Sequence, residues 1–211
     1  MTASPSHAIR SALLTRGLLL EFLTVGWNLV EGVVAVVAAM ASGSVALLGF
    51  GVDSFVESIS GSVLIWRLGS EKRGTANDER IEAIERRAEQ LVGFSFFALA
   101  AYVAFDAVTS LLSQERPEAS TVGIALASVS IGVMLWLARA KRRTAADLGS
   151  RALAADAEQT QACWYLSVVV FAGVGLNALL GWWWADPVAA IGVSVILARE
   201  GWEAWAGEDD A

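Results

Sequence analysis

Residues Ser42 to Trp66 read SGSVALLGFGVDSFVESISGSVLIW, an apolar run interrupted near its middle by Asp53 and Glu57. Taken as one helix, Ser44 to Trp66 rises about 33 Å, close to the roughly 30 Å of a bilayer's hydrocarbon core. On the same ruler Asp53 and Glu57 lie about 14 and 20 Å from the Ser44 end, which is mid-membrane. Their spacing of four puts both carboxylates on one helical face, in a stripe Gly49, Asp53, Glu57, Gly61. The glycines on that stripe let another helix approach closely. A charge at the bilayer centre costs about 2.5 to 3.5 kcal/mol even on the lower insertion scale, so two acids there require compensation. Two readings meet that requirement: protonated acids hydrogen-bonding between helices, or an intramembrane cation or proton site whose other half lies elsewhere in the chain.

Composition agrees with a membrane chain. Hydrophobic residues make up 55%, charged residues only 18%, and the mean hydropathy is +0.54, values outside the range of a soluble domain. The length of 211 residues accommodates about six helices of 20 residues with short links. A single cysteine, Cys163, excludes an intrachain disulfide framework. The first residues, MTASPSHAIRS, lack a basic region followed by a short apolar core and a cleavage site, so no signal peptide is read.

Working outward, the first helix is placed at about 17 to 40. Glu21, Thr24, Asn28, Glu31 and Ala35 recur there at helical spacing, a face turned to protein rather than lipid. The turn Ala41-Ser42-Gly43 leads into the second helix. A hydrophilic segment, 67 to 87, precedes a third helix at about 88 to 112 that carries Asp106 and Thr109. The fourth is placed at 121 to 137, followed by a basic loop, ARAKRRTAADLGSR. The fifth covers about 152 to 180, and three tryptophans, Trp182 to Trp184, follow it. The sixth opens with Asp186 as N-cap and Pro187 at the first helical position.

The loops set the orientation. Arg10, Arg16, the segments 67–87 and 139–151, and Arg199 hold every Lys and Arg except Arg116. By the positive-inside rule these ends are cytoplasmic, so both termini are expected inside. The expected architecture is therefore all-α: residues 1–16 as a cytoplasmic N-terminal tail, 17–206 as a six-helix transmembrane bundle, and 207–211 as a short C-terminal tail. The basic loops need no nucleic acid to explain them, because orientation and contact with anionic lipid suffice.

The other half of the candidate site is read in the fifth helix. Gln159 and Cys163 are again four apart, about 11 and 17 Å from the Ala152 end; Glu57 and Asp53 lie about 14 and 20 Å from the Trp66 end. Two antiparallel helices at matching depth bring Asp53, Glu57, Gln159 and Cys163 together, and four donors in that arrangement suit a tetrahedral divalent ion. Plainer readings stay open: Cys163 as a small buried hydrophobe, Gln159 as an interhelical hydrogen-bonder. Asn28, Glu31, Asp106 and Asp156 are accessory candidates along a transport path, Asp156 at its entrance. No Ser-His-Asp or HExxH pattern occurs, and the single histidine, His7, lies near the amino terminus. The reading is not enzymatic, and no catalytic cofactor is expected.

With these residues in hand, the chain resembles the cation diffusion facilitators, a family of six-helix metal exporters. The resemblance rests on NLVEGVVA (28–35), SGSVALLGFGVDSFVE (42–57), RALAADAEQTQAC (151–163) and WWADPVAAIGVSVIL (183–197). It implies efflux of a divalent cation, zinc first, across the cytoplasmic membrane by proton antiport, with a homodimer as the working unit. It also implies a metal held by two residues four apart on the second helix, here Asp53 and Glu57, and two on the fifth, here Gln159 and Cys163. The family's usual fifth-helix pair is histidine or aspartate followed by aspartate, so this chain departs at both positions. A thiolate favours Zn²⁺, Cd²⁺ or Co²⁺; carboxylates and an amide oxygen alone suit Mn²⁺. Many members carry a cytoplasmic metal-binding domain after the sixth helix, and this chain is expected to be a short form without it. The alternatives are a membrane protein that binds metal or regulates a partner without transport, and a proton or monovalent-cation pathway.

Overall fold

The computed structural model describes residues 5–73, 78–114 and 116–206. Side chains at 5–8, 78–92, 95, 204 and 206 are not described. The tail positions 1–4 and 207–211, the link 74–77 and the side chain of His7 thus lie outside the described residues. Six helices account for nearly all of the rest: α1 Pro5–Ser42, α2 Val45–Arg73, α3 Asp78–Ser113, α4 Thr121–Leu148, α5 Arg151–Leu180 and α6 Ala185–Ala206. Five of them contain a stretch long and apolar enough to cross a membrane. In α6 the charges of Asp186, Arg199, Glu200 and Glu203 interrupt such a stretch. The molecule is an all-helical membrane bundle.

The helices run further than the apolar spans predict. The basic stretch after residue 137 is not a loop: α4 continues to Leu148, because Ala, Arg, Lys and Leu are good helix formers and nothing in it breaks the helix. It stops at Gly149, whose φ of 68° is the left-handed conformation that glycine adopts without strain. Ser150 then caps α5, its hydroxyl accepting from the Leu153 N–H at 3.3 Å. In the same way α2 extends through Lys72 and Arg73, and α3 begins at Asp78, so most of the hydrophilic segment 67–87 is helical. α1 likewise begins at Pro5 rather than near residue 17.

Asp186 does not cap its own helix. It sits in the first turn of α6, and its carboxylate accepts from the Ser44 hydroxyl and, at 3.1 Å, from the Val45 N–H. It therefore satisfies the amino end of α2, 141 residues away in the chain. Gly43, at φ 71°, makes the turn that delivers α2 to it.

α1, α2, α5 and α4 form a ring of packed neighbours, and the α3–α6 pair lies against α2 and α5. Small residues set the approaches. A Cβ on Gly51 would lie 2.9–3.0 Å from Val36 and Ala35, and one on Gly61 2.9 Å from Val25, so α1 and α2 meet backbone to backbone. Gly49, on the stripe with Asp53 and Glu57, instead faces Val103 of α3 and Val193 of α6 at 3.1 and 3.2 Å.

The larger apolar core, with Leu47, Phe50, Val103, Val170 and Val193, fills the half of the bundle near the α1–α2 turn. A second one, Leu14, Leu64, Leu68, Ala145, Leu148 and Leu153, closes the opposite end, where the basic residues gather. The polar interior lies between them. Outward-facing positions such as Phe22, Met40, Ile59, Phe105 and Leu112 are exposed and apolar, as lipid contact requires. Trp66, Trp136, Trp202 and Trp205 stand exposed toward the basic end, Trp182 and Trp184 at the other, the two-belt arrangement of membrane interfaces.

Candidate functional site

Asp53, Glu57 and Cys163 meet in the bundle interior. The Cys163 Sγ lies 2.8 Å from Glu57 Oε2 and 3.1 Å from Asp53 Oδ2, so one thiol faces both carboxylates. The three are 4%, 1% and 2% exposed for Cys163, Glu57 and Asp53, buried within the bundle. The geometry follows from one spacing of four and the packing of two helices: Asp53 and Glu57 on one face of α2, and Cys163 on the face of α5 that meets it.

Gln159 stands apart from this trio. It is half-buried, and its Oε1 accepts from the Ser60 hydroxyl at 3.2 Å. It is the next residue, Thr160, that reaches Glu57: its fully buried hydroxyl donates to Glu57 Oε1 at 3.1 Å. Among the described residues, no group of three or more His, Cys, Asp or Glu side chains is arranged ready-made around one ion. The trio is drawn together through the thiol instead.

The four accessory candidates divide. Glu31 is buried, with Oε2 accepting from Ser54 at 3.0 Å and Oε1 from Ser130 and, at 3.2 Å, from the Trp27 indole. It ties α1 to α2 and α4 one turn from Asp53. Asn28 is fully buried beside it, and both ends of its amide lack a hydrogen-bond partner. Asp156 is buried and paired with Lys141. Asp106 is half-buried on α3 and shares no hydrogen bond with this interior network.

Lys141 is the residue that the sequence reading misplaced. As part of an expected basic loop it should be solvated; in α4 it is fully buried. Its Nζ bonds Asp156 of α5, Glu21 Oε2 of α1 at 3.1 Å and Thr160 Oγ1 at 3.1 Å. A hint was available: once α4 is allowed to continue, Lys141 and Asp156 lie at similar distances from the Gly149 turn, which is the condition for pairing across a helical hairpin. From the basic end inward the polar groups follow in order: Glu21, Lys141 and Asp156, then Thr160 and Glu57, then Cys163 and Asp53, then Glu31 with Ser54 and Ser130. They form a polar ladder through the middle of the four-helix ring, hydrogen-bonded in sequence from Glu21 to Asp53, with the Glu31 cluster as a separate group beyond.

Comparison with known proteins bears on what the ladder serves. Residues 22–205 match the model of the cation efflux transmembrane domain. An uncharacterized transporter of Synechocystis sp., sll1263, is 33% identical over 160 residues, 72% of this chain and 50% of the relative. The cation-efflux pump FieF of Shewanella oneidensis is 22% identical over 178 residues, 81% of this chain and 58% of the relative. The chain thus spans about half the length of the curated relatives it matches. The match covers α2 and α5 entire, with every residue of the trio, and on it the chain belongs to the cation efflux family of membrane transporters.

Proposed function

We propose that this protein exports a divalent metal ion, zinc first, across the cytoplasmic membrane in exchange for protons, and that it works as a homodimer. The observation that carries this reading is the single thiol of Cys163 set between the carboxylates of Asp53 and Glu57 in the buried interior. In the metal-free chain a thiol proton satisfies these acceptors. A divalent ion takes its place only when the thiol and any protonated carboxyl give up their protons, since metal ligands bind deprotonated. Ion and protons therefore exclude one another at the same atoms, which is the physical condition for exchange. Gln159, one turn before Cys163, supplies a fourth donor by turning from Ser60. The thiolate favours Zn²⁺, Cd²⁺ and Co²⁺ over Mn²⁺. The homodimer rests on the family resemblance alone, and crosslinking in native membranes checks it.

The test is metal-dependent proton movement in proteoliposomes loaded with a pH dye, across Zn²⁺, Cd²⁺, Co²⁺ and Mn²⁺. Zinc- or cadmium-driven flux that is lost in Asp53→Asn is expected, and undiminished flux in that variant overturns the site. Saturable metal binding without flux marks a binding protein that does not transport; conductance indifferent to zinc marks a proton or monovalent-cation pathway.

A further inference from the structure

The primary amine of Lys141, fully buried in the bundle, is itself a cation at the basic end of the polar ladder. Lys141 Nζ is enclosed by oxygen donors from two other helices: Glu21 Oε2, an oxygen of Asp156, and Thr160 Oγ1. The second oxygen of Glu21, Oε1, is buried with no hydrogen-bond partner, so the enclosure offers more acceptors than one ammonium uses. Thr160 joins this group to Glu57, one turn further in. Gly61 of α2 packs beside Glu21, within van der Waals reach of its Oε2. The apolar cap of Leu64, Leu68, Leu148 and Leu153 lies on the far side, toward the basic end.

We propose that Glu21, Asp156 and Thr160 form a second cation station, one helical turn from Asp53, Glu57 and Cys163, and that Lys141 is a tethered cation occupying it while no metal is there. A divalent ion moving between the trio and the basic end displaces the ammonium from the two carboxylates, and Lys141 returns once the ion has left. The station never stands as two unpaired buried acids, a condition whose cost rises steeply in low dielectric. Its donors are all oxygen, so it accepts harder ions such as Mn²⁺ that the thiol-bearing trio disfavours. The inference rests on the metal-transport reading for its passing ion, but the station can be probed without the trio.

The two sites are read with different ions. Cd²⁺ bound at the trio gives thiolate-to-metal ultraviolet absorption; Mn²⁺ bound at the oxygen station is counted by paramagnetic resonance in purified, folded protein. Lys141→Met vacates the station, and the expected result is a gain of one bound Mn²⁺ per folded chain, lost again in Lys141→Met/Glu21→Gln and in Lys141→Met/Asp156→Asn. Lys141→Arg, which keeps the tethered charge, gains none. Folded Lys141→Met protein with no added Mn²⁺ overturns the proposal, even where the Cd²⁺ signal is intact. A missing Cd²⁺ signal beside a Mn²⁺ gain sinks the trio and leaves the station. Should Lys141→Met not fold, amine labelling of Lys141 in the wild-type chain, counted by mass spectrometry, decides: saturating Mn²⁺ is expected to raise it several-fold, and unchanged labelling overturns the proposal.

Discussion

At the scale of single residues, the chemistry turns on Cys163 and Lys141, which sequence patterns treat unequally. Cys163 is legible because it completes an i, i+4 pair at the depth of Asp53 and Glu57, and the structure brings its sulfur to both carboxylates. Replacing the thiol by a hydroxyl leaves hard donors only. Cys163→Ser is therefore expected to cut Zn²⁺- and Cd²⁺-driven flux about ten-fold or more while Mn²⁺ flux falls less, a selectivity change read in the dye-loaded liposomes. Lys141 was not legible, because a run of Arg, Lys and Arg resembles a solvated loop until the helix is known to continue beneath it. Its partners make a stability prediction. Removing one member of a buried ion cluster leaves uncompensated charge and costs about 3 to 5 kcal/mol, whereas neutralising all members is nearly neutral. Lys141→Met is thus expected to lower the thermal midpoint in detergent, and Lys141→Met/Glu21→Gln/Asp156→Asn to recover most of the loss.

At the scale of elements, the ladder depends on how closely α1 meets α2. A Cβ at Gly51 would meet the backbone N of Val36 as well as its side chain, at 2.9–3.0 Å, so neither helix can yield by a rotamer change alone. Gly51→Ala is expected to push the pair apart at a cost of about 1 to 3 kcal/mol, while Gly132→Ala, with open space around its Cβ position, is expected to be neutral. Paired thermal-shift measurements check the contrast. The glycine stripe was readable from spacing alone, as was the number of helices. The glycines' partners were not, because three different helices, α1, α3 and α6, face the same side of α2. Helix ends were misjudged for a related reason: apolar content marks where lipid begins, but a helix continues as long as its backbone bonds and propensities allow. The misassigned cap shows the same limit. An aspartate followed by proline at the start of a helix matches a local capping pattern, yet Asp186 is aimed across the bundle at Ser44 and Val45. Asp186→Ala should then destabilise the start of α2 by about 1 kcal/mol, seen as faster hydrogen exchange at Val45 to Leu47 rather than within α6.

At the scale of the whole molecule, the same contact explains how α6 takes its place in a membrane bundle. Its charges interrupt it as an apolar span, but Asp186 is committed to α2, Arg199 pairs with Glu203 at 2.7 Å, and the helix packs along α3 and against α2 and α5. A polar helix crosses lipid when the bundle supplies its partners, which is why the sequence count of six crossings exceeds the five spans that stand on composition. With every Lys and Arg but Arg116 at one end, the positive-inside rule predicts that Arg116 and the tryptophans 182–184 lie outside and both termini inside. Single cysteines placed in a Cys163→Ser background at Glu118 and at Trp183 should react with an impermeant maleimide on intact cells. Cysteines at Gly149 and at Glu203 should react only after the membrane is opened. Labelling of Glu203→Cys from outside would mean that α6 does not cross, and Asp186 would then have to reach α2 from a helix lying along the surface. What opposes that geometry is the packing of α6 along α3 and against α2 and α5.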